Sequence, residues 1–221
     1  RLKSLNGIGF ISPATITHLT IQNNDSLAVC EIRLVCDYLN DTSNTYTIAG
    51  NAPTCVSSSA ILTECARTCF WDGLTLSSQA EVDSFTINYG TCSYIPGELI
   101  ISGNDITHMD SLYSLIAIGG GLFINQTSLS DLNGLENLNT LGSSLSIRNC
   151  PMLNDISQLG SIDSLGGSLT IENTQLINLI GLQGIRNIPL TLAILNNPLL
   201  EGLNGLSSIE RTGLALSIQG N

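Results

Sequence analysis

The stretch Leu145-Ser146-Ile147-Arg148-Asn149 contains the pattern that decides the fold of this chain. An apolar residue, any residue and isoleucine follow one another, and asparagine stands two or three places later. The triplet recurs at residues 19–21, 99–101, 122–124, 169–171, 192–194 and 216–218. From Leu99 onward the intervals are 23, 23, 24, 23 and 24 residues. A fixed period in this range is typical of a solenoid, in which each repeat is one coil stacked on the last.

Each triplet predicts a β-strand, because residues two apart point to the same face of a strand. Apolar residues then recur at about every third place, as over residues 153–165, which indicates a coil that turns one side chain inward at each corner. Gly134, Gly181 and Gly205 disfavour a regular helix in these segments. The sequence therefore predicts a mainly β fold, a right-handed parallel β-solenoid of 23–24-residue leucine-rich coils with short capping helices.

Asparagine follows most of the strands, and we expect it to turn the chain. Its side chain tolerates left-handed backbone angles and can bond nearby backbone groups. The residues concerned are Asn23 or Asn24, Asn104, Asn149, Asn173, Asn197 and Asn221. Stacked coils would place these amides above one another as a ladder, and we prefer this structural role to a polar binding row.

The repeat is interrupted once, which divides the chain into two parts. Residues 1–68 are predicted to be the last coils and the C-terminal cap of a first L-shaped series of coils. Their apolar spacing indicates a helix within residues 29–39, a short strand at 46–48 and a second helix over 57–65. A cap of this kind is expected because a stack of coils ends in an apolar cross-section.

Residues 69–221 are predicted to be the N-terminal capping helix and the regular coils of a second solenoid, truncated before its own cap. Ser78 and Glu81 have the spacing of a capping box, which marks the start of that helix. Apolar spacing is already running at Arg1 and stops in mid-coil at Asn221. We therefore expect the chain to be part of a longer chain or a larger assembly.

Charge excludes two classes of partner. The 221 residues include 7 Lys and Arg against 18 Asp and Glu, a net charge of −11. Nucleic acid and anionic membrane surfaces would be repelled. No apolar stretch approaches the ~20 residues that span a bilayer. The sequence therefore predicts neither a nucleic-acid partner nor direct membrane insertion.

Cysteines are distributed unevenly along the chain. Six of the seven lie in one stretch, namely Cys30, Cys36, Cys55, Cys65, Cys69 and Cys92. An even, clustered set indicates disulfides and an oxidising compartment. The short spacings within the stretch are too wide for the paired ligands of a zinc site. Cys150 stands apart, and we expect it to be a buried free thiol.

Four of the clustered cysteines are expected to pair among themselves. Cys30, Cys36, Cys55 and Cys65 allow three connectivities, and the sequence does not decide between them. We favour Cys30–Cys36 with Cys55–Cys65.

No catalytic constellation is evident in the sequence. The nucleophile elbow, the phosphate-binding loop and the zinc-protease motif are absent, and the aspartates are not spaced like a calcium-binding loop. His18 and His108 have no adjacent carboxylate pattern, and we expect them to be exposed on turns. We therefore predict no catalytic residue, no cofactor and no metal site. A polysaccharide-active β-helix enzyme module is the alternative, because such enzymes use carboxylates on a sheet face.

Outward side chains of the strands supply the candidate binding face. The middle residue of each triplet points outward, and this row contains two apolar neighbours on an otherwise polar sheet. A second outward row consists of the residues that follow the isoleucines. The candidate face comprises Ile100, Phe123, Asn125, Arg148, Glu172 and Leu195. Arg148 and Glu172 are expected to form a cross-strand ion pair.

The segment Gly97-Glu98-Leu99-Ile100-Ile101-Ser102-Gly103-Asn104 and its repeats, with a capping helix bracketed by cysteines, resemble the receptor L-domain family. These leucine-rich solenoids are known from insulin- and growth-factor-receptor ectodomains, and the resemblance covers essentially all of residues 69–221. It implies a disulfide between Cys69 and Cys92 ahead of the first full coil. The chain lacks the Cys-rich module, kinase and transmembrane segment of those receptors, so receptor signalling is not implied.

Residues 19–65, with Cys36-Asp37-Tyr38-Leu39 and Asn51-Ala52-Pro53-Thr54-Cys55, are similar to the terminal cap of secreted cell-surface leucine-rich proteins of gliding Bacteroidetes. The tripeptide Asp-Ser-Leu resembles the motif that this group O-glycosylates on exported proteins. Its serines are Ser26, Ser111 and Ser164. The resemblance implies a glycan on at least one of them, although leucine at these places also serves the core.

These observations favour one function class over another. We expect a non-enzymatic recognition or adhesion module, located outside the cell or on its outer surface. Its partner is expected to be a protein or a glycan bound by the solenoid surface. Fold-level analogy alone supports recognition at this point.

Overall fold

A computed structural model describes residues 1–9, 11–90 and 92–221. The chain divides into two compact units, Arg1–Thr68 (unit 1) and Cys69–Asn221 (unit 2). These bounds coincide with the division expected from the interrupted repeat. The structure is mainly β, with few helices.

Unit 1 combines a small sheet with two helices. Strands β1 (Leu19–Gln22) and β2 (Tyr46–Ala49) pair in parallel. Helix α1 (Arg33–Asn40) buries an apolar face that includes Tyr38, and α2 (Ser58–Cys65) begins where the Ser57 hydroxyl accepts a hydrogen bond from the Ala60 N–H. Short 3-10 helices lie at Asn6–Ile8, Pro13–Thr15 and Pro53–Cys55.

Two disulfides cross-link unit 1, and their pairing differs from the one we favoured. Cys30 bonds Cys55 and Cys36 bonds Cys65, so the prediction of Cys30–Cys36 with Cys55–Cys65 is wrong. Helix α2 separates Cys55 from Cys65 by eight helical residues, a rise of about 12 Å. The Cα atoms of a disulfide must come within about 7 Å. Helix packing, rather than nearness in sequence, therefore selects the partners.

Unit 2 contains twelve strands and one α-helix among its described residues. The strands are β3 (Leu74–Leu76), β4 (Tyr94–Ile95), β5 (Leu99–Ser102), β6 (Ala117–Ile118), β7 (Leu122–Asn125), β8 (Thr140–Leu141), β9 (Leu145–Cys150), β10 (Leu169–Thr174), β11 (Asn187–Ile188), β12 (Thr191–Leu195), β13 (Arg211–Thr212) and β14 (Ala215–Gln219). Helix α3 is Gln79–Tyr89, and 3-10 helices lie at Asp110–Leu112, Ser157–Ser161 and Asn204–Leu206.

Seven of these strands form one parallel sheet. Its order is β3-β5-β7-β9-β10-β12-β14, so strands that are successive in the sheet are one repeat apart in the chain. The register aligns a leucine in every strand, from Leu74 through Leu145 to Leu216. A shift by one residue would turn this row to the other face, which fixes the register. Shorter strands form the sheets β4-β6-β8 and β11-β13.

The apolar positions predicted to point inward are buried. In three successive repeats they are Leu122, Ile124, Leu129, Leu132, Leu135, Leu138 and Leu141; Leu145, Ile147, Leu153, Ile156, Leu159, Ile162 and Leu165; and Leu169, Ile171, Leu176, Leu179, Leu182, Ile185 and Ile188. They form one continuous core within unit 2. The repeated segments between strands contain 3-10 turns, as the glycines indicated.

Gly181 shows why glycine is needed at one corner of the repeat. Its φ is +112°, and a Cβ there would overlap the carbonyl oxygen of Ile156 in the preceding repeat. Gly134 has the same two properties, with φ +102° and the Met109 carbonyl as its neighbour. The backbones of adjacent repeats therefore approach too closely at this corner for any side chain.

Asparagines have the turning role that the sequence predicts. Asn149 and Asn173 have a φ of 53°, in the left-handed region. The Asn149 amide donates to Asn125 Oδ1 at 3.0 Å, and the Asn173 amide donates to Asn149 Oδ1 at 2.7 Å. The amide ladder is thus present in the middle of unit 2, across three successive repeats.

Asn197 has a different task from the ladder asparagines. Its side chain is fully buried, and its Oδ1 accepts hydrogen bonds from the N–H and the hydroxyl of Thr174 at 3.1 and 2.7 Å. Its amide donates to Asn221 Oδ1 at 2.9 Å. In unit 1, the Asn24 amide donates to Asn51 Oδ1 at 3.2 Å, also directly after paired strands. Both units therefore use the same buried or half-buried amide pair.

Helix α3 lies at the start of unit 2. The Ser78 hydroxyl accepts from the Glu81 N–H at 3.4 Å, which confirms the predicted cap. Val82 and Phe85 are buried. Ile87 is 84% exposed, so the apolar face of the helix is narrower than its spacing indicated.

The remaining cysteines behave as expected. Cys69 bonds Cys92, the pair implied by the receptor resemblance. Cys150 is a buried free thiol that accepts a hydrogen bond from the Thr127 hydroxyl at 3.2 Å.

Candidate functional site

The strand register brings the predicted face residues together in two rows. Ile100 lies opposite Phe123 on adjacent strands. Asn125, Arg148, Glu172 and Leu195 lie opposite one another on four successive strands. We call these two rows, which also include Ser102, Ser146, Thr170, Ala193, Ser217 and Gln219, the outward face. All six predicted residues are therefore neighbours on one surface.

Exposure varies across the outward face. Arg148 is exposed, and Ile100, Phe123, Asn125, Glu172 and Leu195 are half-buried. Thr170 and Ala193 keep only 5% and 8% of their surface. Small side chains in the middle row are thus shielded by the larger ones beside them, which leaves the larger ones as the groups that a ligand could touch.

The predicted ion pair is present at the centre of the outward face. Arg148 Nη1 lies 3.7 Å from Glu172 Oε2, with 49% and 24% of the two side chains exposed. Arg148 Nε also donates to Ser146 Oγ at 3.1 Å. The serine orients the guanidinium, and the sequence analysis missed this role. The alternation that places Ser146 and Arg148 on the same face is the signal that would have found it.

Charge is distributed unevenly in unit 2. Its sequence contains three Lys and Arg against thirteen Asp and Glu, a net charge of −10. Within the seven described strands of the large sheet, Arg148 and Glu172 are the only charged residues. The pair cancels, so the outward face carries no net charge although the unit around it is strongly anionic.

Acidic residues outside the sheet serve turns. Asp131 Oδ1 accepts from the Asn133 N–H at 3.0 Å, and Asp155 Oδ1 accepts from the Ser157 N–H at 2.9 Å. Burial raises the pKa of the Asp155 carboxyl, but hydrogen bonds from the Ser157 N–H and hydroxyl and from Gln158 outweigh it. The pKa of Asp155 therefore lies below its ordinary value. These carboxylates hold backbone in place.

The histidines differ in their surroundings. His18 hydrogen-bonds the hydroxyls of Thr45 and Thr47 at 2.8 and 3.1 Å. His108 Nδ1 lies 3.7 Å from Asp83 Oδ1, each side chain being 52% exposed. The expectation that His108 has no carboxylate neighbour is therefore wrong, because α3 brings Asp83 to it from a distant part of the sequence. Among the described residues, no group of three or more His, Cys, Asp or Glu is placed to hold a metal ion.

The three serines proposed for glycosylation differ in access. Ser164 is exposed, and its hydroxyl donates to Asp163 Oδ1 at 2.9 Å. Ser111 is half-buried and donates to the Asp83 carbonyl of α3 at 3.3 Å. Ser26 is also half-buried, directly before the fully buried Leu27. Ser164 is thus the most accessible of the three.

Comparisons add no family. Models of known protein families, curated protein sequences and solved structures return no match to this chain. Separately, none of the helices in the described part of the chain has the length and apolar character needed to cross a membrane.

Proposed function

We propose that this chain is a non-enzymatic recognition or adhesion module that binds a protein or a glycan through the outward face of unit 2. The observation that carries the proposal is the neutrality of that face. A net charge of −10 surrounds the sheet, yet its two charged residues form a pair and cancel. A surface kept free of net charge and lined by aligned polar and apolar side chains suits contact with a ligand.

The proposed architecture is a right-handed leucine-rich solenoid of the receptor L-domain kind, in both units. In support, each strand of the large sheet follows its neighbour by one repeat, and the leucine row is unbroken. A binding surface built from one position of every repeat is what stacked repeats provide. The Bacteroidetes resemblance belongs to the same proposal and rests on the residues of unit 1 that carry it.

We propose an extracellular or outer-surface location. Three disulfides support it, because such bonds persist in oxidising compartments. A glycan on Ser164 belongs to the same proposal, since its hydroxyl is accessible. An intact mass of the protein from its native host equal to that of the bare polypeptide would remove the glycan from it.

Binding assays with a charge-balanced pair of variants test the proposal. Arrays of glycans and of extracellular proteins are probed with the wild type and with Arg148→Ala/Glu172→Ala, which should lose at least part of any specific signal. Arg186→Ala/Glu210→Ala is the matched control, because it also removes one charge of each sign from exposed residues outside the seven strands. Equal binding by both double variants would remove the outward face as the site.

A screen for released sugars runs beside the arrays. Incubation of bound polysaccharides with the protein should release no reducing ends. Cleavage that depends on Glu172 would instead support the polysaccharide-active enzyme and overturn the non-enzymatic proposal.

A further inference from the structure

The position of Phe123 on the outward face is set by a glycine on its own strand. Atoms Cε2 and Cζ of the Phe123 ring lie 2.6 and 2.8 Å from the point that a Cβ on Gly121 would occupy. Because Gly121 has no side chain, the ring folds back over the backbone and remains half-buried. The outward face thus carries an aromatic ring that is held in place before any ligand arrives, which lowers the entropy cost of binding.

Polar groups of both kinds lie beside this ring. Phe123 and Asn125 stand on β7, Arg148 stands on the adjacent β9, and Glu172 on the next strand. Two strand spacings are about 10 Å. Within that span the face offers an amide, a guanidinium that donates and a carboxylate that accepts. The Arg148 and Glu172 side chains are partly exposed and 3.7 Å apart, so each keeps capacity for further hydrogen bonds.

The charge pattern selects against charged ligands. An anionic polymer would meet a unit of net charge −10, and a cationic one would be drawn to the acidic residues outside the sheet. The outward face itself is neutral. An uncharged partner is therefore the one whose electrostatics match this surface and not its surroundings.

We infer that the ligand of the outward face is an uncharged saccharide that stacks on Phe123 and hydrogen-bonds the Arg148–Glu172 pair. This inference rests on the proposed function and narrows its ligand class. A sugar ring presents an apolar C–H face together with hydroxyls that both donate and accept. Phe123 contacts the first, Glu172 accepts from one hydroxyl, and Arg148 donates to another.

A protein partner fits these residues less well. Stable protein interfaces bury about 800 Å² on each side and depend on large anchors that enter pockets. Next to Phe123 in its row stand Ser146, Thr170 and Ala193, and the last two retain 5% and 8% exposure. The row therefore offers one aromatic contact beside polar groups, which is the size of a sugar subsite.

Calorimetric titration of the full chain tests the inference. The probes are neutral hexasaccharides of β-linked glucose, mannose and N-acetylglucosamine, with hexagalacturonate as the charged comparison. At least one neutral probe should bind, and Phe123→Ala should weaken it about tenfold or more. Phe123→Leu keeps apolar bulk without the ring and should weaken binding too, which guards against a folding defect in the alanine variant.

Two further variants complete the design. Tyr113→Ala removes an aromatic side chain that is 52% exposed and lies outside the strands, so affinity should not change. Glu172→Gln should weaken binding while the unfolding midpoint stays near that of the wild type. Affinity that is unchanged in both Phe123 variants would overturn the inference, as would stronger binding of hexagalacturonate than of every neutral probe.

The failure of the saccharide and the failure of recognition give different results. A displayed peptide library is selected on the same protein in parallel. If no neutral probe binds at millimolar concentration but peptides bind and are lost in Arg148→Ala/Glu172→Ala, the ligand is a protein and the saccharide is wrong. If neither class binds through the outward face, both proposals fall.

Discussion

Unit 1 and unit 2 reach a stable core by different means. Unit 1 has 68 residues, two disulfides and a core partly supplied by two helices. Unit 2 has one disulfide, and its core consists mostly of leucine and isoleucine from stacked repeats. A small unit buries too little apolar surface on its own and benefits from covalent links, whereas repetition lets a larger unit grow its core with every turn.

Charge follows the same division. Unit 1 has four Lys and Arg against five Asp and Glu, a net charge of −1, compared with −10 in unit 2. The acidic residues of unit 2 lie outside the large sheet, apart from Glu172. The comparison teaches that the strongly acidic composition belongs to one unit, and that within it the outward face is an exception.

The largest expected effect separates the two kinds of core. The variant Cys36→Ala/Cys65→Ala should destabilise unit 1 by roughly 3.5 kcal/mol, because the bond closes a loop of 29 residues. Hydrogen exchange resolved by peptide should show faster exchange in α1 and unchanged exchange in β9 and β10. Simultaneous loss of protection in both units would show that they do not unfold separately.

The next effect tests the close approach of repeats in unit 2. Gly181→Ala should cost about 3 kcal/mol, because an L residue is strained at φ +112° and its Cβ meets the Ile156 carbonyl. Gly160→Ala is the control, since a Cβ there has no neighbour within 4 Å. Denaturant melts followed by circular dichroism should show a shift for the first variant alone. Similar shifts for both would contradict the packing argument.

Asn197 sharpens the comparison, because unit 1 contains a counterpart. Asn197→Ala should cost about 2 kcal/mol, since it leaves Thr174 and two backbone carbonyls without their partner. Asn51→Ala, at a half-buried position, should cost about 1 kcal/mol in unit 1. Asn154→Ala, at an exposed position, should lie within about 0.5 kcal/mol of the wild type. Urea denaturation of the three variants orders them, and a cost at Asn154 equal to that at Asn197 would deny the buried amide its role.

A smaller effect concerns the charged pair of the outward face. A double-mutant cycle on Arg148→Ala and Glu172→Ala should give a coupling of about 0.5 kcal/mol, as is usual for exposed pairs. The coupling should decrease in 1 M salt. A coupling above 2 kcal/mol would mean that the pair is there for stability, and would weaken its assignment to ligand binding.

The smallest effect is a dependence on pH that both units should share. Hydrogen bonds from the Ser43 hydroxyl and N–H lower the pKa of Asp41 in unit 1, and Ser157 and Gln158 do so for Asp155 against the effect of burial. A lowered folded pKa adds stability above the unfolded value of 3.8, and this stability is lost as pH falls through the folded pKa. Melting temperatures from pH 6 to pH 2 should therefore fall less in Asp155→Asn and Asp41→Asn than in the wild type. Parallel curves for all three proteins would contradict the assignment.

Much of unit 2 could be predicted from residue spacing. The L-x-I triplets became strands in register, and every apolar position assigned to the coils between them is buried. Repetition explains this success, because each strand pairs with the same segment of its neighbour and local patterns repeat the global arrangement. The six face residues followed from the same alternation, whereas the roles of Ser146 and Gly121 required the positions of neighbouring side chains.

Unit 1 was predicted less fully, and the disulfides show why. Its helices were visible as apolar spacing, but the pairing of Cys30 with Cys55 was not. The contact between His108 and Asp83 in unit 2 was also missed, since α3 delivers the carboxylate. Contacts of this kind depend on how helices pack, and packing is not periodic in the sequence.

The sequence by itself determined the strands, their register, the buried rows and the neutral outward positions, because spacing alone decides which side chains share a face. Tertiary structure decided which cysteines meet, which asparagines are buried, where the ring of Phe123 rests and which serine orients Arg148. These outcomes depend on distances between residues far apart in the chain. Such distances are set only when helices and repeats pack against one another.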